Sequence, residues 1–136
     1  MTKKHVPDLE LCQELDRLCK EKGIVVPETE FYWVSYGTPY VATKTARSIF
    51  YDHTWAKHSI PAPLVSEQGE WLPRSVKKDG DVLDLWCVKL SNDTWAVCFK
   101  FPNGDWSVYD QEANTEANAR QKMINYLIAE GIITKL

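Results

Sequence analysis

The stretch Leu83-Asp84-Leu85-Trp86-Cys87-Val88-Lys89-Leu90-Ser91-Asn92-Asp93-Thr94-Trp95-Ala96-Val97-Cys98-Phe99-Lys100-Phe101-Pro102-Asn103-Gly104-Asp105-Trp106-Ser107-Val108-Tyr109 decides how this chain folds. It contains three alternating runs, Leu83–Leu90, Thr94–Phe101 and Asp105–Tyr109. Asn92-Asp93 and Asn103-Gly104 separate them, and both are short hairpin-turn signals. A two-residue turn at Asn92-Asp93 places Trp86 opposite Phe99, Val88 opposite Val97 and Leu90 opposite Trp95. A second such turn at Asn103-Gly104 places Phe101 opposite Trp106 and Phe99 opposite Val108. The two registers then agree on one apolar face, and a slip of one residue would destroy the agreement. Burying these nine side chains supplies on the order of 15–25 kcal/mol of gross driving force, most of it offset by chain entropy. The meander is therefore core, and its apolar face needs a cover.

Two helices are available to cover it. Pro7 and Asp8 start the first, which runs to Lys22, with Leu11, Leu15, Leu18, Cys12 and Cys19 on one stripe. Gly23 sits where a left-handed cap belongs. The second runs from Glu116 to Glu130, capped by Asn114 or Thr115 and stopped by Gly131. Ala119, Met123, Tyr126 and Leu127 line one face of it, with Ile124 and Ile128 beside them, and this face is expected across Trp86, Val97 and Trp106. Phe31 to Tyr36 reads as an additional strand, rich in aromatic and β-branched residues. The segment from Gly37 to Pro73 is broken by prolines. Within it Ala42, Ala46, Ile49, Phe50 and His53 fit a helical period, and Leu64 to Leu72 reads as a short helix. The expected fold is a single two-layer α+β domain. Its antiparallel meander, about 83–109, plus a strand near 31–36, is covered by helices 8–22 and 116–130.

Composition narrows the function classes. The chain has 136 residues, 44% hydrophobic, with six Trp and a formal charge of −3. Domains that bind nucleic acid through bulk electrostatics usually carry a basic surplus, so nucleic acid is an unlikely partner by this measure. No stretch is long enough to span a bilayer, and no apolar segment follows Met1-Thr2-Lys3-Lys4-His5-Val6-Pro7. A reducing cytoplasm is the expected setting, with all four cysteines as free thiols.

No motif for chemistry emerges, so no catalytic residue, no metal ligand and no cofactor is assigned. Cys87 and Cys98 fall opposite each other in the expected register, on the face away from the core, while Cys12 and Cys19 lie on the helix stripe. None belongs to a C-x-x-C pair, and all four read as small buried hydrophobes. His53 and His58 have zinc-like spacing without further ligands. Asp79-Gly80-Asp81 resembles the start of a calcium loop, but Leu90 stands where the closing Glu belongs. The six glycines are scattered and cradle no phosphate.

The binding candidates are tyrosines. In Phe31–Tyr36 both strand faces are apolar: Phe31 and Trp33 on one, Tyr32, Val34 and Tyr36 on the other. A two-layer domain buries one face of its sheet. Either residues 37–73 fold back over the second face, or that face stays open to a protein partner or a second copy. In the latter case Tyr32, Tyr36, Tyr40 and Tyr51 form the patch.

The order of elements also resembles a known group. It comprises a helix ending in Gly23-Ile24, the aromatic strand, and Ile60-Pro61-Ala62-Pro63 running to Trp71-Leu72-Pro73. The Trp-rich meander follows, then a helix from Glu116-Ala117-Asn118-Ala119-Arg120 to Tyr126-Leu127-Ile128-Ala129-Glu130-Gly131-Ile132-Ile133. This is similar to a family of small proteins encoded by phages and prophages of gut Bacteroidetes. The resemblance implies a phage-derived origin and carries over no catalytic residue. The leading expectation is a non-enzymatic binding or accessory protein acting through protein–protein contacts. The alternatives are a nucleic-acid-binding module and a small thiol- or metal-dependent enzyme.

Overall fold

The computed structural model describes residues 5–34, 38–44, 59–102 and 106–136. The order is α1 (Leu9–Lys22), β1 (Phe31–Val34), β2 (Tyr40–Thr43), β3 (Ser59–Ala62), α2 (Val65–Trp71), β4 (Ser75–Lys78), β5 (Asp81–Ser91), β6 (Thr94–Lys100), β7 (Ser107–Ala113) and α3 (Glu116–Ala129). The strands form two antiparallel sheets, β2-β1-β3 and β4-β5-β6-β7. The fold is thus α+β, with the meander, the strand at 31–34 and both long helices where the sequence puts them. Tyr40–Thr43 is a strand, so Ala42 does not begin a helix. Ala46, Ile49, Phe50 and His53 lie outside the described residues.

The helix ends follow from local chemistry. Gly23 takes φ 70°, a conformation a Cβ would strain, and its N–H returns to the Cys19 carbonyl. At α3 the Thr115 hydroxyl accepts from the Asn118 N–H at 3.1 Å. The Glu67 carboxylate reaches back to the Leu64 N–H at 2.8 Å to start α2. α3 packs across β6 and β7 on one side and against α1 and α2 on others. That environment explains why Asn118, Gln121 and Asn125 are buried along with Met123, Ile124, Leu127 and Ile128. Their amides join the helices. Gln68 Nε2 donates to the Ala117 carbonyl and to Gln121 Oε1, Gln121 Nε2 donates to Asn125 Oδ1, and Asn125 Nδ2 donates to the Leu11 carbonyl.

The four-stranded sheet corrects the expected register of β5. The turn at Asn92-Asp93 does form, since Ser91 pairs with Thr94. Leu90 is then extruded as a β-bulge, and pairing resumes with Lys89 opposite Trp95. From there Trp86 faces Cys98, Cys87 faces Val97 and Leu85 faces Phe99. A single extra residue therefore reverses every β5 side chain. Leu83, Leu85 and Cys87 join the core with Val97 and Phe99, and Trp86, Val88 and Leu90 point away from it. Trp86 and Phe99 lie on opposite faces, so α3 covers the Val97/Phe99 face without Trp86. Cys87 and Cys98 are likewise on opposite faces, not neighbours on one.

The second hairpin keeps its register near the turn, with Phe99 opposite Val108 and a Phe101 N–H bond to the Trp106 carbonyl. Farther on, Tyr109 takes φ 61° at a second bulge, which shifts the pairing to Val97 opposite Gln111. The Tyr109 ring then packs edge-on to Phe99 and tilted against Tyr126, with centroids at 6.4 and 5.3 Å. A fourth strand joins through a two-residue turn at Asp79-Gly80, both with positive φ, so the Asp79-Gly80-Asp81 stretch is hairpin chemistry.

The bulge yields a sharp test. Deleting Leu90 removes the unpaired residue and leaves all other β5–β6 pairs as they stand. The deletion is expected to keep the fold and change stability by no more than about 1 kcal/mol. Urea unfolding followed by circular dichroism measures this. In an unbulged hairpin the same deletion would invert the strand.

Candidate functional site

Of the tyrosines that sequence pointed to, Tyr32 is 4% exposed and Tyr40 is 43% exposed. Val34 pairs with Tyr40 and Tyr32 with Ala42, so both rings belong to one face of the β2-β1-β3 sheet. All four β1 residues are nevertheless buried. Phe31 and Trp33 pack with Val6, Cys12 and Ala62 on one side, and the Tyr32 hydroxyl accepts from the Thr29 N–H at 3.3 Å. The Tyr32 ring is therefore closed to a partner. Tyr36 and Tyr51 lie outside the described residues, as do His53 and His58.

The thiols are poor nucleophiles. Burial, followed by the nearby Asp8 and Glu10 carboxylates, pushes the Cys12 thiol above its ordinary range. Burial and Asp16 push Cys19 up to about 11. Cys87 and Cys98 are also raised, chiefly by burial. Nucleophilic cysteines need the opposite shift, because the thiolate is the reactive form. All four cysteines are free. Among the described residues no group of three His, Cys, Asp or Glu is placed to hold a metal ion, and no helix is long and apolar enough to cross a membrane.

A groove of about 500 Å³ opens where α3 begins beside the β5–β6 turn, lined by His5, Val65, Asn92, Asp93, Trp95 and Thr115 among others. Several of its polar groups are committed to the fold. Thr115 caps α3. Glu116, also on the lining, accepts from Arg120 Nε at 2.9 Å and from the Cys87 thiol at 3.8 Å.

The outer face of the β4-β5-β6-β7 sheet differs in kind. Trp86 is 48% exposed, Val88 38% and Leu90 55%, in the middle of a strand whose inner face is packed. The register sets out this face in rows: Asp84 beside Lys100, Trp86 beside Cys98, Val88 beside Ala96. Lys100 Nζ lies 4.8 Å above the Trp86 ring, a cation–π contact that keeps the indole upright. Large side chains on β5 thus stand beside small ones on β6, where Ala96 and Cys98 are 9% and 5% exposed, a ridge next to a shallow trough. Lys77 and Val82 border it on one side and Glu112 on the other.

Sequence reasoning missed these residues by assigning them to the core. A signal was present. The expected register placed Asp84 on the buried face with Trp86, whereas Leu83, Leu85 and Cys87 carry no charge. A charge in mid-strand belongs on the wet face.

No family model, curated protein or solved structure matches this chain.

Proposed function

We propose that this protein is a non-enzymatic binding or accessory protein working through protein–protein contacts, and that the outer face of the four-stranded sheet makes them. The observation that carries this reading is the exposure of Trp86, Val88 and Leu90 together on one strand. Contiguous exposed apolar surface on a small domain marks an interaction site more often than isolated exposed residues do. Trp is among the residues that dominate binding energy at interfaces. A cytoplasmic setting and a phage-derived origin, in keeping with the resemblance to small phage and prophage proteins, belong to the same proposal.

A nucleic-acid partner fits the same face less well. Trp86 with Lys100 could stack a base, but the surrounding charges are mixed, with Asp84 and Glu112 beside Lys77 and Lys100. A backbone-tracking groove needs a basic surplus.

The test compares baits in cells that make the protein, by crosslinking and affinity capture. Trp86→Lys is expected to abolish the wild-type catch, and Tyr40→Ser to leave it intact. A catch insensitive to Trp86→Lys overturns the reading.

A further inference from the structure

We infer that the partner on the outer sheet face is a second copy of this chain, related by a two-fold axis running along the strands between β5 and β6. This rests on the proposal that the face is a contact surface, and it goes further by naming the occupant.

The rows of the register carry the argument. Each pairs a β5 residue with a β6 residue of complementary kind: Asp84 with Lys100, Trp86 with Cys98, Val88 with Ala96. A two-fold axis along the strands, midway between β5 and β6, exchanges the two strands while keeping each row in place. Trp86 of one copy then stands over the Cys98 position of the other, and Val88 over the Ala96 position, so each copy's ridge lies along the other's shallow trough. In the same operation Asp84 meets the second copy's Lys100, and Lys100 its Asp84. An isologous interface must be complementary to itself under one rotation. Here shape and charge satisfy the same rotation, although the charges were not needed to choose the axis. The resulting arrangement is an aligned face-to-face packing of two sheets, the geometry of a β-sandwich core.

The full chain should sediment as a dimer that dissociates on dilution, and Trp86→Lys should be monomeric with an unchanged circular dichroism spectrum. The decisive measurement uses two charge variants. Asp84→Lys places like charges across the axis, and so does Lys100→Asp, so each variant alone should dimerise at least about tenfold more weakly than wild type. Mixed together, the two should form a heterodimer of near wild-type affinity, because each acid again meets a base across the interface. Pairing within one chain cannot produce that recovery.

A wild type that stays monomeric at millimolar concentration overturns the inference, and so does a mixture no tighter than its components. If the wild type is monomeric yet Trp86→Lys still removes a captured partner, the second copy is wrong and the contact face stands. If a dimer forms and Trp86→Lys does not weaken it, the second copy fails at this face, and the capture experiment alone decides whether the face binds anything.

Discussion

Alanine in place of Phe99 is expected to lower the unfolding free energy by about 3–5 kcal/mol, and Leu83→Ala by about 2–5 kcal/mol. Trp86→Ser is expected to change it by less than about 1 kcal/mol, in solutions dilute enough that association does not contribute. Phe99 and Leu83 are fully buried in the main core, and removing either side chain leaves a cavity that Met123, Leu127 and their neighbours cannot fill without moving. Trp86, the largest side chain on β5, stands on the opposite face with half of its surface in water. The contrast is informative because an unbulged register predicts the reverse on β5: a costly Trp86 and a cheap Leu83. Domains of this size are stable by roughly 5–15 kcal/mol in total, so the Phe99 and Leu83 losses should shift the urea midpoint far beyond measurement error. If Trp86→Ser instead destabilises as much as Leu83→Ala, the β5 faces are wrongly assigned.

Gln121→Leu is the second change with a large expected effect, a loss of about 1–3 kcal/mol. The Gln121 side chain is completely buried and joins α2 to α3 by accepting from Gln68 while donating to Asn125. Leucine fits the volume and meets neither need, so an amide N–H and an amide oxygen lose their partners in a dry environment. Gln68 already has one unsatisfied oxygen, Oε1. Its amide is therefore costly to bury, and Gln68→Met removes that burden along with the hydrogen bonds to Ala117 and Gln121. The double variant should cost less than the sum of the two single changes, with a coupling of about 1 kcal/mol. A double-mutant cycle by denaturant titration measures it, and strict additivity would mean that the amide pair contributes nothing.

The parts of this fold legible in the sequence are those set by local signals of one kind. Leu15, Leu18 and Cys19 recur at helical spacing before Gly23, and Thr115 precedes the helix it caps, so α1 and α3 can be read without tertiary information. The turn at Asn92-Asp93 is equally local. The faces of β5 were not legible from periodicity, because Val82, Trp86, Val88 and Leu90 compete with Leu83, Leu85 and Cys87 for the interior. One extruded residue decides between them, and no residue type at Leu90 announces a bulge. Strands β2, β3 and β4 are four residues each, too short for a pattern, and Pro61 within β3 argues against a strand except where its missing N–H is not needed. The burial of Tyr32 was hidden for a related reason. β1 is the central strand of a separate small sheet and is buried throughout, not a strand with one face bare. The candidate interaction face is thus made of residues visible in the sequence as strongly apolar, and only the register says that they face outward.

The ties between α1 and α3 bear on how the chain is made. The Asp8 N–H donates to Asn118 Oδ1, and Asn118 Nδ2 donates to Asp8 Oδ2, across 110 residues of sequence. The Leu11 carbonyl waits for Asn125 across 114. A ribosome adds residues at about 5–20 per second, so α1 precedes its partner by on the order of 5–20 s. Throughout that interval the Leu15 and Leu18 stripe has no α3 to pack on, whereas the meander, finished at Ala113, waits for the helix only about 1–3 s. Final closure must also bring the two ends of the sequence together, a long-range step that comes late and slows folding. The nascent chain therefore carries one uncovered apolar stripe for many seconds, joined briefly at the end by the inner side of the meander, and both are open to chaperones or to each other until the helix that covers them is made.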